Sequence, residues 1–525
     1  MKKILKIQLL AALLLVVASG CKKSYQDLVL NNNVPTNVPA SLLLNGIENN
    51  TVELAGSSYE DYCQYYLYNY NYYGNNTYDF GSGSNYYVTL KNVILMEQQA
   101  ISVGLPATNG YSAIGKFYRA YLFSKMSMQM GDIPMTNALQ GTGNLTPTYD
   151  SQKVVMNQCL AWLDGANADL TTVIAAGGSI SGDFLFNGNL AAWQKTVNAF
   201  KLRLLIQLSK KAVSDPDMNI PAQFAAIVNN PTKYPLMQSA ADNFQYIYAV
   251  PNNYYTMNPN NFGNNGSRQN MSQTYMKLLT SFQDPRVFIM AEPARYYVDN
   301  LHQSPTSFAS FIGADPGLDL GTMYANAGLQ MYSFINRKHF YSTYTGEPSI
   351  QVGYPEQEFN IAEGINRGWV TGNAETHYIN GIQSSMASYG IPPTGSFTTY
   401  FYKPGSTSVT NAANYDSYVI NTNWATYYGQ PSVQYAGGAT GLTQILQQKY
   451  LALFRHSGLE SYFTYRRTGV PNFTTGPGTD NGQRIALRFQ YPSSERNANT
   501  ANYTVALQSQ YGGNDDINGV MWILK

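Results

Sequence analysis

Tyrosine-rich loops carry the most distinctive chemistry in this sequence. The chain has 44 tyrosines, and several stand beside Asn, Trp or Gly in segments without helical periodicity. A sugar ring stacks its flat, weakly polar C–H face on Tyr or Trp, while its hydroxyls exchange hydrogen bonds with polar side chains. Three loops combine these residue types. The candidate ligand-binding residues are Tyr72, Tyr73, Asn75 and Tyr78 in the first loop, Tyr296, Tyr297 and Tyr324 in the second, and Trp424, Tyr427 and Tyr428 in the third.

The composition favours a neutral, hydroxyl-bearing ligand. Charged residues make up 12% of the chain, against about 25% in ordinary soluble domains, and aromatic residues make up 14%. Nucleic acid needs a concentrated basic patch, which this composition does not supply, so we predict no nucleic-acid partner. Any single tyrosine can instead pack its loop onto the body of the protein. The prediction therefore concerns a binding face rather than one residue.

Motifs for catalysis are scarce. Residues 110–116 imitate a phosphate-binding loop, but Phe117 follows where a Ser or Thr would contact magnesium. The sequence contains neither GxSxG nor GxGxxG. Neighbouring carboxylates such as Glu356 and Glu358 would serve a glycosidase only if the fold placed two of them across a scissile bond. We therefore predict a protein that is not an enzyme.

Histidine and cysteine spacing gives no metal motif. The four histidines are scattered, and neither HExxH nor CxxC occurs. We predict no metal and no cofactor. Cys63 and Cys159 are compatible with one disulfide outside the cytoplasm or with two buried thiols, and their spacing leaves both open.

The first 21 residues have the pattern of a secretion signal. Three lysines precede an apolar run over residues 9–17, which is shorter than the roughly 20 residues of a bilayer-spanning helix. Small residues then lead directly to Cys21, an ending that resembles the lipobox of bacterial lipoproteins, whose cysteine is diacylated and becomes the new N-terminus. We predict a signal peptide over residues 1–20, lipidation of Cys21 and a tether over residues 21–40. The alternative is an ordinary secretory peptide with a cysteine nearby by chance.

Removal of residues 1–20 would take away three lysines and change the formal charge from +1 to −2. The mature protein would therefore be close to neutral.

Helical periodicity dominates most of the remaining chain. Apolar residues recur at three- and four-residue steps along one face, the pattern of amphipathic helices. Gly131 and Pro134 stand where a helix end prefers glycine and cannot continue through proline. The pattern predicts helices over residues 88–103, 112–130, 149–170, 193–208, 221–228, 271–282, 356–367, 375–388 and 443–466.

Three segments lack this periodicity and are the predicted ligand loops: residues 59–87, 288–350 and 391–438. The first half of 59–87 is also compatible with a helix that has a tyrosine face, and the tail over residues 469–525 is predicted to be irregular. Consecutive helix pairs with short connections indicate a mainly α fold with little β, an α-solenoid of the tetratricopeptide kind with long aromatic loops over one face. We predict a single body over residues 41–525, with its scaffold mainly in 41–285 and 353–467.

Eight stretches, in order along the chain, resemble the SusD/RagB family of surface glycan-binding lipoproteins, particularly its SusD-like branch. They lie at residues 117–134, 149–152, 193–205, 284–286, 358–363, 448–450, 465–471 and 488–503. Most of these motifs are scaffold: Gly131 to Pro134 is a helix stop, and Arg466 and Arg467 are expected to contact core carboxylates or carbonyls.

The resemblance implies four tetratricopeptide-like helix pairs that support a more irregular half with the ligand loops. It also implies an outer-membrane lipoprotein facing the cell exterior, which binds oligosaccharide or polysaccharide and delivers it, as a lid, to a SusC-type TonB-dependent barrel. The ligand loops match no family motif, so the candidate residues rest on position and composition. Some relatives bind peptides, so an oligopeptide ligand stays open. A lipid-anchored glycan hydrolase and a purely structural scaffold are the remaining alternatives.

Overall fold

Most segments with helical periodicity in the sequence form helices in the structure. The computed structural model describes residues 38–525, and residues 40–525 form one compact unit. The signal peptide, Cys21 and nearly all of the predicted tether lie outside the described residues. Within residues 38–525, no helix is both long and apolar enough to cross a membrane.

The α-helices are α1 (Ala40–Asn50), α2 (Ser58–Tyr62), α3 (Tyr87–Ser102), α4 (Gly110–Met130), α5 (Gln152–Ala175), α6 (Leu190–Gln207), α7 (Lys211–Ser214), α8 (Ile220–Asn229), α9 (Phe262–Asn265), α10 (Gln273–Ser281), α11 (Val287–Met290), α12 (Arg295–Asp299), α13 (Leu320–Gly328), α14 (Arg337–Tyr341), α15 (Tyr354–Asn366), α16 (Ala374–Ser388), α17 (Trp424–Tyr428), α18 (Gly438–Ala452), α19 (Glu460–Thr468), α20 (Ser493–Ala498) and α21 (Thr500–Tyr511). The strands are β1 (Tyr66–Tyr68), β2 (Phe244–Tyr246), β3 (Gln269–Met271), β4 (Ser349–Val352), β5 (Thr394–Tyr402) and β6 (Tyr415–Asn423).

Local capping explains where the scaffold helices begin and end. Before α4, the Asn109 side chain accepts a hydrogen bond from the backbone N–H of Ser112, which satisfies one of the free amides of the first turn. The same helix ends at Gly131, whose φ of 96° is a conformation that favours glycine. Ser151 caps α5 in the same way as Asn109 caps α4.

The scaffold is a succession of packed helices. Contacts link α1 with α3, α3 with α4, α4 with α5 and α5 with α6, and α6 continues to α15, which packs against α16 and α18. The strands form three separate antiparallel pairs, β1 with β3, β2 with β4 and β5 with β6. The expectation of a mainly α, helix-pair fold with little β is confirmed.

The long helix predicted over residues 443–466 is wrong. The chain leaves helical geometry between α18 and α19, where Arg455 and Ser457 have positive φ values of 65° and 60°. Buried contacts hold these residues there: the Arg455 guanidinium forms an ion pair with Glu60 at 3.1 Å, and the Ser457 amide donates to the Ile350 carbonyl at 2.8 Å.

Three other local expectations also change. Residues 391–438 contain the β5–β6 hairpin, whose nine-residue strands pair throughout from Thr394 with Asn423 to Tyr402 with Tyr415. The tail contains α20 and α21, and the helix in 59–87 is limited to α2, followed by β1. The hairpin strands are rich in Ser, Thr, Asn and Tyr and are only partly buried, a composition that does not distinguish a strand from a polar loop.

Several scaffold side chains have the expected roles. Arg466 donates to the carbonyls of Leu487 and Met128, and Arg467 forms an ion pair with Glu363. Cys63 and Cys159 are both buried and form no disulfide, so the described structure contains two free thiols.

Candidate functional site

A small hydrophobic cluster lies beneath the first two ligand loops, separate from the main core. Its buried members are Leu67, Ala314, Met323 and Tyr332. Leu67 is the middle residue of β1, whereas the other three come from the second loop and its helix α13. Burial of this shared apolar surface fixes the two loops to each other.

The Asn76 side chain fastens the first loop to β1. Its Oδ1 accepts a hydrogen bond from the Tyr68 backbone N–H at 2.8 Å, and its Nδ2 donates to the Tyr68 carbonyl at 2.9 Å. The same Nδ2 lies 3.7 Å from the Met323 sulfur in α13. Gly74 packs so closely that a Cβ at this position would lie 2.7 Å from the Tyr68 ring. The turn between Asn69 and Asn76 is therefore held to both β1 and α13.

Four tyrosines from these two loops form one continuous group. The Tyr324 ring lies 5.4 Å from that of Tyr70, Tyr70 lies 6.1 Å from Tyr73, and Tyr73 lies 5.2 Å from Tyr72, measured between centroids. Tyr72 is 81% exposed and Tyr324 is 48% exposed, so ring faces are open to solvent. We call Tyr70, Tyr72, Tyr73 and Tyr324 the tyrosine group.

A cavity of about 410 Å³ adjoins the tyrosine group, and we call it the tyrosine cleft. Tyr324 belongs to both. Residues next to β1 and β3, residues of α12, α13 and α14, and residues at the turn of the β5–β6 hairpin form the lining. They contribute backbone groups, amides and cations. Its lining residues are Asn69, Ser267, Arg268, Arg295, Tyr324, Ala327, Gly328, Gln330, Phe334, Arg337, Tyr402, Lys403, Pro404, Gly405 and Ser406.

Asn69 is the most buried polar residue of this lining. Its Nδ2 donates to the Ser267 carbonyl at 3.2 Å and to Asn270. Its Oδ1 is buried and accepts no hydrogen bond from the described residues. The adjacent Asn270 Nδ2 is likewise buried and donates no hydrogen bond to the described residues, so this amide pair behind the lining has one unused acceptor and one unused donor.

The third candidate loop lies at a different cavity, also of about 410 Å³, which we call the tryptophan cleft. Trp424 lines it together with Pro392, Pro393 and Phe308, and its ring stacks on Tyr428 at 5.4 Å with an angle of 15° between planes. The rest of its lining combines apolar side chains with amides and hydroxyls and contains no charged residue of the described part of the chain.

The two clefts lie at opposite ends of the β5–β6 hairpin. The tyrosine cleft contacts residues 402–406, next to the turn, whereas the tryptophan cleft contacts residues 391–393 and 419–424, at the open end. A nine-residue strand is about 27 Å long, so the clefts are separate sites. The structure thus brings the first two candidate loops together and leaves the third apart.

Two candidate tyrosines lie in the interior. Tyr78 is 2% exposed and donates to the Tyr62 carbonyl at 3.1 Å. The Tyr427 hydroxyl donates to Asp284 at 2.6 Å, and burial, followed by the charge of Asp284, raises the pKa of Tyr427 well above its ordinary value. Tyr78 therefore supports its loop from within the core, whereas Tyr427, although largely buried, contributes part of its surface to the lining of the tryptophan cleft.

The other candidates lie beside the cleft. The Tyr296 amide donates to the Gln330 carbonyl at 3.1 Å, and its half-buried ring pairs with Tyr297 at 5.7 Å. Asn75 is exposed, and its Oδ1 accepts hydrogen bonds from the Thr77 amide and hydroxyl, which shape the turn after the tyrosine group.

Sequence reasoning missed Tyr70 and the arginines of the tyrosine cleft. Tyr70 lies in the predicted ligand loop over residues 59–87 but was not among the candidate residues, although its ring joins the two loops. Arg268, Arg295 and Arg337 are dispersed over 70 residues of sequence, and only the β1–β3 pairing and the fold of the second loop bring them together. No local pattern in the sequence could have identified them as a group.

The acidic pairs of the sequence have structural roles. Glu356 forms an ion pair with Arg203, and Glu358 lies 2.9 Å from His377. Residues 110–116 begin α4 and form no phosphate loop. Between residues 38 and 525, no group of three or more His, Cys, Asp or Glu side chains is arranged to hold a metal ion.

Comparison with known families gives a match over most of the chain. Residues 31–492 match the family model SusD-like, described as starch-binding and associating with the outer membrane. A search of curated proteins found no match.

Solved structures share the whole fold. A SusD homologue from Bacteroides fragilis has 30% sequence identity and a TM-score of 0.79, and the match covers 93% of this chain and 100% of the homologue. An outer-membrane protein from Bacteroides vulgatus, assigned to nutrient binding, has 28% identity, a TM-score of 0.77 and the same coverage. A chitin-binding SusD homologue from Flavobacterium johnsoniae has 20% identity and a TM-score of 0.67 over 94% of this chain and 97% of its own.

Proposed function

We propose a function from the premise that this chain belongs to the SusD-like family of starch-binding proteins that associate with the outer membrane. The protein binds oligosaccharides or polysaccharides at the tyrosine cleft without cleaving them. The single observation that carries this proposal is the tyrosine group, four neighbouring rings beside a polar cavity, of which Tyr70, Tyr72 and Tyr324 are exposed. Such rings stack on sugars, and the amides of the cleft exchange hydrogen bonds with hydroxyls.

The composition of the cleft supports binding rather than hydrolysis. Among the described residues, neither Asp nor Glu lines the tyrosine cleft or the tryptophan cleft. Glycoside hydrolysis ordinarily needs two carboxyl groups that flank the scissile bond. The carboxyl groups that contact cations of the tyrosine cleft have partners already: Glu292 and Asp299 are ion-paired with Arg337 and Arg295, and Asp416 lies 3.7 Å from Lys403.

Two solved structures with the same fold are of proteins that bind a carbohydrate. The Flavobacterium johnsoniae homologue and a second structure, with 23% identity, are chitin-binding proteins. At these identities the likeness establishes the fold alone, so starch- and chitin-derived oligosaccharides are the first ligands to test rather than inferred substrates.

The wider role rests on the family and on the N-terminal sequence. We infer that Cys21 is lipidated and that the anchored protein faces the cell exterior. There it delivers its ligand, as a lid, to a SusC-type TonB-dependent barrel. Stacking contributes about 0.5–1.5 kcal/mol per aromatic pair, so a few exposed rings give weak to moderate affinity. Such affinity suits a protein that must release its ligand into a transporter.

Calorimetric titration of tyrosine variants tests the binding site. We expect Tyr72→Ala and Tyr324→Ala each to weaken oligosaccharide binding about 2- to 10-fold, because each removes one stacking surface. Tyr254→Ala is the matched control: Tyr254 is also partly exposed, at 39%, but its ring pairs with Tyr344 instead of the tyrosine group. The control should bind as the wild type does.

The ligand panel distinguishes the alternatives. It contains starch- and chitin-derived oligosaccharides, acidic oligosaccharides and oligopeptides of three to six residues. Binding of peptides alone would favour a peptide carrier, and release of shorter sugars by the purified protein would establish an enzyme. Unchanged affinities in a Tyr72→Ala, Tyr324→Ala double variant would remove the tyrosine cleft from the proposal.

A further inference from the structure

Four cationic side chains line the tyrosine cleft: Arg268, Arg295, Arg337 and Lys403. Within residues 38–525, no acidic side chain is part of this lining. The whole chain has 32 Lys and Arg against 31 Asp and Glu, and charged residues are scarce at 12%. One cavity therefore brings four cationic side chains together in a protein that is sparsely charged.

Three of these cations have acidic partners outside the cleft lining. Arg337 donates through Nε to Glu292 at 2.9 Å, and Arg295 donates through Nε to Asp299 at 3.1 Å. In both arginines Nη1 donates no hydrogen bond to the described residues. These pairs hold the guanidinium planes in place while leaving part of each fork unused.

Lys403 is the most loosely held of the three. Its Nζ donates to the Ala413 carbonyl at 2.9 Å and lies 3.7 Å from Asp416, and its side chain is 42% exposed. It brings a positive charge from the hairpin turn to the rim of the cleft.

Arg268 differs from the other three because it forms no salt bridge with the described residues. Its carbonyl accepts a hydrogen bond from the Asn69 amide at 3.1 Å, which places it directly across from the start of the tyrosine loop. Its guanidinium lies over the Tyr70 ring, 5.1 Å from the centroid. A half-buried cation thus lies against the tyrosine group, and its guanidinium donates no hydrogen bond to the side chains and backbone that the structure describes.

We propose that the tyrosine cleft selects saccharides that bear an anionic group, the carboxylate of a uronic acid or a sulfate ester, and that Arg268 contacts this group. The inference rests on the proposed function, because the same tyrosine group would stack the sugar ring. A guanidinium presents paired N–H donors that match the oxygens of a carboxylate or sulfate, and such charge-assisted hydrogen bonds are about twice as strong as neutral ones.

The proposal also accounts for the one cation of the cleft without an acidic partner among the described residues, Arg268. A neutral sugar would cover this guanidinium without supplying a counter-charge. An acidic sugar supplies that charge at the moment of binding. The ligand class inferred from the cleft therefore differs from the neutral one that composition alone favours.

Matched pairs of ligands test the inference. Wild-type protein is titrated with oligogalacturonate and its neutral methyl ester, with sulfated and desulfated galactan oligosaccharides, and with starch- and chitin-derived oligosaccharides. We expect the acidic member of at least one pair to bind about tenfold or more tightly than its neutral counterpart, the range for hydrogen bonds to charged groups. The uronate and sulfate arms identify the source of the anionic group.

Variants assign the effect to one residue. Arg268→Gln should weaken binding of the acidic ligand about tenfold more than binding of its neutral partner, so that the ratio of the two affinities falls towards one, and Arg268→Lys should restore part of this ratio. Arg484→Gln removes the same charge from an exposed residue outside the cleft and should have no effect. An equal loss in both Gln variants would assign the effect to net charge and overturn the proposal.

The remaining outcomes separate the two proposals. If neutral oligosaccharides bind as tightly as acidic ones, or alone, the anionic preference is wrong and the proposed oligosaccharide binding stands. If no saccharide binds while acidic oligopeptides do, both the proposed function and this inference fail in favour of a peptide carrier. Thermal unfolding of each variant confirms that a loss of binding is not a loss of fold.

Discussion

Glu363 shows how a single buried carboxyl is kept ionised in this protein. It is fully buried in α15 and accepts hydrogen bonds from Arg467 Nη2 at 3.0 Å and Arg367 Nε at 2.8 Å. Burial by itself raises the pKa of this carboxyl, but the positive charge and hydrogen bonds of Arg467, followed by the charge of Arg367, outweigh it and lower the pKa to about 2 from 4.5. Ionised Glu363 therefore stabilises the folded state.

The pH dependence of this contribution has a defined sign. Because the folded pKa is depressed, the stabilisation is complete above the unfolded pKa of 4.5 and is lost as the pH falls towards 2. We expect Glu363→Gln to lower the free energy of unfolding by about 3–5 kcal/mol at pH 7, since it leaves Arg467 buried without its counter-charge. At pH 3 this difference should be about 2 kcal/mol smaller.

Urea unfolding at pH 7, 5, 4 and 3 measures the effect. Asp79→Asn, which removes a charge from an exposed carboxyl, is the control and should change stability little at any pH. A difference between wild type and Glu363→Gln that stays constant from pH 7 to 3 would contradict the assigned pKa.

Residue type alone could not sort the candidate tyrosines. Tyr72 and Tyr78 are six residues apart in one loop, yet the first is 81% exposed and the second is 2% exposed. The ring and hydroxyl of tyrosine satisfy a ligand and a protein interior equally well. Their different exposure depends on tertiary contacts: the first loop is fixed to β1 and to the small hydrophobic cluster that contains Leu67, and Tyr78 packs into the main core.

At the scale of elements, the position of the tyrosine loop depends on Asn76. This buried side chain makes both hydrogen bonds to the Tyr68 backbone and touches Met323, so it joins β1, the loop and α13. We expect Asn76→Ala to destabilise this region by about 1–3 kcal/mol, because the Tyr68 amide and carbonyl lose their partner. Binding at the tyrosine cleft should weaken although no stacking ring is changed.

Hydrogen exchange and calorimetry check this prediction together. Exchange of the amides in residues 68–78 should accelerate in Asn76→Ala, whereas Asn71→Ala, an exposed asparagine of the same loop, should behave as the wild type does. Faster exchange with an unchanged ligand affinity would show that the loop need not be held in place for binding.

The helices were more predictable from sequence than the loops, for a physical reason. The buried face of a helix such as α4 or α5 is visible in the sequence as apolar residues with a period of 3.6, and the capping residues lie next to the helix in the sequence. The β5–β6 hairpin and the break before α19 depend instead on distant partners, including Glu60 for Arg455 and Ile350 for Ser457. The two clefts are likewise formed by segments that are distant in sequence, so only their aromatic character was predictable.

At the scale of the whole molecule, buried polar pairs join the two halves of the helical scaffold. Arg203 in α6 forms an ion pair with Glu356 in α15, and Gln207 in α6 donates a hydrogen bond to Glu460 in α19 at 2.5 Å. Such pairs, together with the packing of α6 against α15, tie the helices of the first 230 residues to those of the second half. The scaffold therefore presents the ligand loops on one connected support.

The proposed lipid anchor makes a prediction about this body as a unit. Residues 22–39, between the proposed lipid and α1, span at most about 60–65 Å, so an anchored body stays within that distance of the membrane. Confinement of this kind corresponds to an effective concentration near the millimolar range for a membrane partner. A diacylated cysteine gives stable attachment, whereas a single chain is marginal.

We therefore expect Cys21→Ser to separate binding from uptake. The variant should leave the membrane fraction and reduce ligand uptake by cells strongly, because it no longer remains near the barrel. Its purified body should retain the wild-type ligand affinity and urea midpoint, since Cys21 lies outside the compact unit over residues 40–525. Fractionation, an uptake assay and calorimetry measure the three quantities, and Tyr72→Ala is the reciprocal control, anchored but weaker in binding. Uptake that is normal in Cys21→Ser, or anchored wild-type protein that purifies from membranes without a large barrel protein, would contradict the lid role.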